Sequence, residues 1–301
     1  MYDVDGWKIT LDVRPQHQRV WKDLRRSDVY VMTHVMEIRR LDGGTFTATE
    51  AKPVLSALRV ALSFALGRWV APALPVGQDA NGKIVWEEWR PLLCDPARKI
   101  SSGWWYHEDQ AALQDLLNRV IPAFCDTSRE KPLRLQMQYA ITATADRGFV
   151  EQRIMIGAAG LEHIIWQNLR LTGRLTKRQY GSGEWTTRQM LRTVLEDAGI
   201  DVDINPAHLP VAAGFAAERA QRSGQPVNGA DLVKWVRNEL VHPKEAQEPL
   251  YRIPGLTTDL WLLTRHYLVL LILHSIDYRG SYRDLAKTNG WVGEVEPVPW
   301  A

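Results

Sequence analysis

The sequence predicts an α+β protein, with a β-rich N-terminal domain over residues 1–105 and an all-α helical bundle over residues 106–301. Three observations predict this. Before residue 105, apolar residues alternate or run in β-branched clusters punctuated by turn signals. After it, apolar residues recur at three- and four-residue intervals in successive segments. The composition is that of an ordinary globular protein, with 45% hydrophobic and 24% charged residues and no low-complexity tract or block of like charge. At 301 residues the chain is long enough for one large domain or two smaller ones.

The elements follow in order. "WKITLDV" (7–13) and "DVYVMTHVMEIRRL" (28–41) read as strands, the second closed by "LDGG". "KPVLSALRVALSFAL" (52–66) switches to a helical period. "GRWVAPALPVG" (67–77) and "KIVWEEWRPL" (83–92) flank "QDANG", whose Asn81-Gly82 supplies hairpin turn chemistry. Pro72 and Pro75 confine the first of these strands to a sheet edge. "DPARKISSGWW" (95–105) reads as a linker or an irregular segment. Helices are then expected over 107–124, 133–145 and 150–171, the last with Ile154, Ala158, Leu161, Ile165 and Leu169 on one face and Gly173 after it. "TTRQMLRTVLEDAGI" (186–200) carries Thr186 as N-cap and Gly199 past its end. Pro210 suits the first position of the next helix. "DLVKWVRNELVH" (231–242) and a long apolar helix starting near Thr257 to Asp259 complete the bundle.

Composition and termini narrow the function classes. "MYDVDGWKITLDV" lacks a basic segment followed by an apolar one, so the expected location is the cytoplasm rather than outside the cell. Cys94 and Cys125 have no partner at ligand spacing, which argues against a disulfide scaffold or a zinc ribbon; neither metal nor cofactor is expected. The net charge of +2 neither demands nor excludes RNA. Arg265 and His266 interrupt "LWLLTRHYLVLLILHSIDY" (260–278), which reads as a buried helix and not a membrane span. The tryptophans of the first domain read as packing, with base-stacking platforms as the alternative.

The chemistry concentrates in "VRNELVHPK" (236–244). Proline disfavours helical backbone in the residue before it, so the helix should end at about His242. Asn238 and His242 lie one turn apart on one face. At about 100° per residue, Arg237 lies about 140° around from His242. A straight helix therefore aims the two at different neighbours. A joint site requires either a departing last turn or a second copy of the helix across a dimer axis. The carbonyl end of the helix dipole favours an imidazolium, which suits His242 to proton transfer. Arg237 can hold a phosphate bidentately, and Asn238 can orient either group. The bland alternatives are an ion pair of Arg237 with Glu218 or Glu239 and a simple helix-end histidine.

"RNELVH" resembles the Arg-polar-x3-His signature of the HEPN superfamily (higher eukaryotes and prokaryotes nucleotide-binding), with the likeness covering residues 150–280. That superfamily comprises small α-helical bundles, many of them RNA endonucleases that need no metal. The signature sits at a helix end late in the bundle, with another helix following, as here. The resemblance implies a homodimer with a composite active site acting on RNA. His242 would serve acid/base transfer while the 2′-hydroxyl attacks the adjacent phosphate, and Arg237 would stabilise the charged intermediate. The ends would be a 2′,3′-cyclic phosphate and a 5′-hydroxyl. Lys244 would contact a phosphate, and Glu162 would support Arg237, as an acid does in some members.

Residues 1–105 would recognise a trigger, an antitoxin or a sensor partner, as in toxin or phage-defence systems; no membrane is implied. Two other classes stand beside this. One is an inactive HEPN-like module that dimerises or binds nucleotide; the other is a small-molecule binder acting through the Trp-rich first domain. His274, Asp277 and Tyr278 read as a dimer rim. "GAAG" (157–160) reads as helix packing, because no Gly-Lys-Ser/Thr follows. Ser182 in "YGSGEW" reads as part of a turn and not a nucleophile elbow.

Overall fold

The computed structural model describes residues 1–15, 17–24, 30–97, 102–145, 148–242, 248–287, 291 and 293–301. The fold is mixed: a small N-terminal sheet followed by a mostly helical region. Contacts divide the chain into two compact units, Met1–Met137 and Gln138–Ala301.

The first unit is built on an antiparallel sheet of β1 (Tyr2–Val4), β2 (Trp7–Val13) and β3 (His34–Arg40), in that spatial order. Asp5 and Gly6 both take positive φ, 47° and 77°, so the β1–β2 turn is the two-residue kind whose twist matches the strands it joins. With Val4 opposite Trp7 and Tyr2 opposite Ile9, these four side chains share the buried face. Arg40, opposite Trp7, lies 4.0 Å over the indole. The short α1 (His17–Asp23) lies between β2 and β3 in sequence.

α2 (Ala48–Leu66) starts four residues before the expected Lys52. A reciprocal capping box of Thr47 and Glu50 satisfies its first amides, and Gly67 at φ 63° ends it. The expected hairpin is present as β4 (Val76–Gln78) and β5 (Ile84–Glu87), with Gly82 at φ 76° and the Asp79 carboxylate accepting from the Asn81 and Lys83 amides. The proline-bearing stretch before Val76 forms no strand.

α3 (Gln110–Cys125) packs on α2 and β1 through Leu113, Leu116, Leu117, Val120 and Ile121. The unit therefore runs on past the compositional change near residue 105 to Met137. The expected linker is also partly core. Trp104 is fully buried against Phe64, ring centroids 5.5 Å apart, and a Cβ on Gly103 would lie 2.0 Å from the Ala65 carbonyl oxygen. α4 (Thr127–Thr144) contains the division point.

In the second unit α5 (Val150–Ile165) passes without a break into a π-helical turn, Trp166–Leu171. The expected inward face, Ile154, Ala158, Leu161, Ile165 and Leu169, is buried. α6 (Lys177–Gly181) and α7 (Thr187–Asp197) follow, and Thr186 forms a capping box with Gln189. Ser182 is the residue that closes α6.

α8 (Pro210–Ser223) has Pro210 in its first turn, but Leu209 before it offers no capping side chain. The Val211 and Ala212 amides donate instead to the carboxylate of Asp259, at 2.9 and 3.0 Å. Asp259 lies in the first turn of the last long helix. α9 (Gly229–Val241) is opened by an Asn228–Asp231 capping box. The short α10 (Glu248–Arg252) precedes α11 (Leu256–Ser275).

α11 is the central helix and packs on α5, α8, α9 and α10. It is long and apolar enough to cross a bilayer, yet 78% of its apolar window is buried inside the protein. "GAAG" lets α5 approach closely: a Cβ on Gly157 would lie 2.8 Å from the Thr264 methyl, and one on Gly160 3.0 Å from Leu268. A two-stranded ribbon, β6 (Ser281–Tyr282) with β7 (Glu296–Pro297), adds strand to a region expected to be wholly helical.

Candidate functional site

The signature residues sit at the end of α9, which packs along α5. α9 stops at Val241, and His242 leaves the helix with φ −121° and ψ 74°. Its amide still donates to the Asn238 carbonyl at 2.8 Å, while its side chain is exposed. The last turn departs from the helix at His242, but among the described residues no contact joins His242 to Arg237, which lies against Glu162 and Asn238. Pro243 and Lys244 lie outside the described residues.

Arg237 turns toward α5, where its Nε lies 3.3 Å from Glu162 Oε1. Both side chains are partly solvated, at 33% and 43% exposure, so the pair orients Arg237 more than it stabilises the fold. Arg237 Nη1 also lies 3.4 Å from Asn238 Oδ1. Glu162, Arg237 and Asn238 are thus one contiguous polar group, and His242 follows Asn238 by one turn. The two acids weighed as simple partners do not take that role. Glu218 pairs with Arg222 along α8, and Glu239 is buried.

Three further side chains belong to the same region of the second unit. His163, beside it on α5, has its ring 6.4 Å from that of Tyr139 and 6.0 Å from that of Trp166. Burial pushes its imidazole below the ordinary histidine value, and its Nδ1 is buried with no hydrogen-bond partner among the described residues. Trp166 opens the π turn one helical turn beyond Glu162 and is 39% exposed. Tyr180, on α6, is close enough to feel Glu162: burial first, and then the carboxylate charge, raise its phenol above the ordinary value. π turns recur at functional sites because they re-aim side chains that a regular helix would stack. The sequence points to Glu162 but not to His163, Trp166 or Tyr180. The four-residue spacing from Glu162 to Trp166 is the one signal that placed the indole on that face.

The residues read as a dimer rim have partners within the chain. The Tyr278 hydroxyl donates to the Ser281 carbonyl at 2.6 Å, His274 stacks edge-on to Trp300 at 5.0 Å, and Asp277 pairs with Arg279 at 2.6 Å. Of these, the His274 contact reaches the C-terminal segment.

A second polar cluster joins α11 to the segments before α8 and after α11. Asp284 is buried, with Oδ1 2.9 Å from His266 Nδ1 and Oδ2 3.2 Å from His208 Nδ1, and it accepts from the Ala286 amide at 2.7 Å. Burial alone would raise its carboxyl. The His266 contact, the Ala286 amide and the His208 charge outweigh that and hold it at about 2. Among the described residues no group of three or more His, Cys, Asp or Glu is arranged to hold a metal ion.

Comparison with known proteins places the chain. No solved structure matches it. The SPbeta prophage-derived uncharacterized protein YopA of Bacillus subtilis (strain 168) is 26% identical over 302 aligned residues, which cover 98% of this chain and 64% of that protein. The chain therefore spans less than two thirds of the length of that relative. Residues 1–100 match the YopA central domain, and residues 126–296 match the YopA C-terminal domain. The second match takes in α5, α9 and the whole Glu162–Arg237–Asn238–His242 group, and with it more than half of the sequence: the chain belongs to the YopA family.

Proposed function

We propose that the chain is an RNA endonuclease of the HEPN type that works without a metal, as a cytoplasmic homodimer with a composite site. One observation carries the reading: Arg237, held by Glu162 and touching Asn238, lies five residues before a His242 that has left the helix and faces solvent. In this reading a 2′-hydroxyl of bound RNA attacks the adjacent phosphorus and the bond to the 5′ oxygen breaks. A His242 imidazole takes the hydroxyl proton, and a protonated His242 from the second copy supplies one to the leaving oxygen. Arg237 neutralises the charge that builds on the phosphate oxygens. The ends are a 2′,3′-cyclic phosphate and a 5′-hydroxyl. The prophage origin of the Bacillus relative suits a toxin or phage-defence role, with residues 1–105 receiving a sensor or antitoxin.

A second reading follows from the same ion pair. Glu162 already neutralises Arg237, as expected of a bundle that dimerises or binds nucleotide without cutting. The test is cleavage of several RNAs in EDTA by the unaltered protein, Arg237→Ala and His242→Ala. Loss of cutting in both variants, with oligomeric state and melting temperature retained, supports the nuclease. Absence of cutting by the unaltered protein on every RNA rejects it in favour of the binding module.

A further inference from the structure

Arg237 ends a row of charged side chains on α9. Asp231, Lys234 and Arg237 follow one another at three-residue intervals, so each lies one turn from the next, about 4.5 Å along the axis. α7 packs at the start of the row. Arg192 donates to the Asp231 carboxylate at 3.3 Å, and Arg188 Nη1 lies 3.8 Å from its other oxygen. The same carboxylate accepts from the Asn228 amide at 3.1 Å. Its side chain is only 12% exposed, against 56% for Arg188 and 39% for Arg192, so the acid is covered while both guanidiniums reach solvent. Lys234 is partly exposed and has no ion-pair partner among the described residues. Arg188, Arg192, Lys234 and Arg237 are thus four cations against the carboxylates of Asp231 and Glu162, a surplus of two. Of the other acids on α7 and α9, Asp197 pairs with Arg174, Glu239 is buried, and Glu196 lies one turn beyond Arg192. A positive row of this kind attracts a chain of phosphates.

An aromatic platform borders the row. Trp166 follows Glu162 by four residues, so it shares that face of α5, and its ring is partly exposed. α7 packs on the π turn that Trp166 opens as well as on α9. Cations beside an exposed indole suit a strand with unpaired bases, whose faces are free to stack, better than a duplex, whose bases are covered. A phosphate at Arg237 would have its neighbour near Lys234, one turn back along α9, and the next near Arg188 and Arg192.

We propose that Arg188, Arg192 and Lys234 form a track for the phosphates of single-stranded RNA running to Arg237, with a base of that strand stacked on Trp166. The choice of RNA rests on the nuclease reading, whereas the track is tested by binding, apart from cleavage. The experiment is fluorescence anisotropy of a short labelled single-stranded RNA, and of a duplex of the same sequence, with the full chain carrying His242→Ala, over a series of salt concentrations. The single strand should bind more weakly as salt rises, and roughly five-fold or more tighter than the duplex. Arg188→Gln and Lys234→Gln should each weaken it roughly five-fold or more, and each should lower the slope of log affinity against log salt by about 0.7. Trp166→Ala should weaken it roughly five-fold or more with the slope unchanged. Arg39→Gln, at an exposed position of β3, should alter neither. Three results overturn the proposal: no binding of the single strand at low salt, a duplex that binds as tightly, or a folded double variant of Arg188→Gln and Lys234→Gln within roughly two-fold of the parent and with its slope. Weakened binding in the track variants, together with no cutting by the chain that keeps His242, rejects the nuclease and supports the track. Cutting by that chain, together with unweakened binding in the track variants, rejects the track and supports the nuclease.

Discussion

Gly229→Ala should be among the most damaging single-methyl changes in the second unit. The added carbon would lie 2.1 Å from the Tyr267 hydroxyl oxygen and 2.9 Å from two ring carbons. Tyr267 is 1% exposed in the middle of α11, so its ring has no open space to enter. Its hydroxyl donates to the Val202 carbonyl at 3.2 Å, and the Gly229 amide donates to the same carbonyl at 2.9 Å. Relief of the clash must move the ring off that acceptor. Forcing a methyl into a packed core costs about 1–3 kcal/mol. Stranding a buried hydroxyl costs about 1–3 kcal/mol more. Alanine's helix propensity returns at most about 1 kcal/mol at this first helical position.

The net loss should be about 2–4 kcal/mol, or roughly 5–12 °C in melting temperature for a chain of this size. Urea and thermal denaturation followed by circular dichroism measure it. Adding Tyr267→Phe removes the nearest atom of the clash, so the double variant should lose less than the two single losses summed, by about 1 kcal/mol or more. A Gly229→Ala protein within about 0.5 kcal/mol of the parent, or strictly additive losses, would show that α9 does not rest on the Tyr267 hydroxyl in this way.

Three other predictions follow. Asp284 titrates near 2 in the fold and near 3.8 by default, so its stabilisation is present above pH 4 and disappears as pH falls toward 2. The stability advantage of the parent over Asp284→Asn should shrink by about 2 kcal/mol between pH 5 and pH 2; an advantage that stays constant with pH contradicts the depressed carboxyl. Glu162→Gln should change stability by less than about 1 kcal/mol, because the pair is partly solvated; under the proposed nuclease reading it should also lower RNA cleavage roughly ten-fold by releasing Arg237. A large melting loss with unchanged cleavage would make the pair purely structural. Gly103→Ala should unfold the first unit at lower urea by about 2 kcal/mol or more, because its methyl would strike the Ala65 carbonyl; a change within about 0.5 kcal/mol in the denaturation curve would refute that.

Local chemistry was legible in the sequence wherever one segment determines it. The end of α9 before Pro243, the hairpin at Gly82, Pro210 at the start of α8 and the inward face of α5 depend on residues adjacent to one another. Features that depend on docking were not legible. The helical period of 107–124 identifies a helix but not the surface it covers, and α3 packs on α2 and β1. That is why the first unit extends to Met137 and not residue 105. Glu162 was weighed as Arg237's support, yet only the packing of α5 on α9 separates it from Glu218 and Glu239. The π turn at Trp166–Leu171 has no periodic signature. Asp284 with its two histidines joins three segments that are remote in sequence. The apparent linker hid Trp104, because a tryptophan beside glycines gives no sign of what it packs against.

The carboxylate of Asp259 has a bearing on the order of assembly. α8 brings no capping side chain of its own, and its Val211 and Ala212 amides rely on an acceptor that belongs to α11. In the unfolded chain that acceptor is elsewhere, so α8 has a frayed start until α11 arrives. The same carboxylate also lies in the first turn of α11, where it complements that helix's positive end. One side chain therefore makes the beginnings of two helices mutually dependent. Neither helix reaches full stability alone, and the second unit should fold and unfold around this point as one cooperative step, with no intermediate in which α8 is formed and α11 is not.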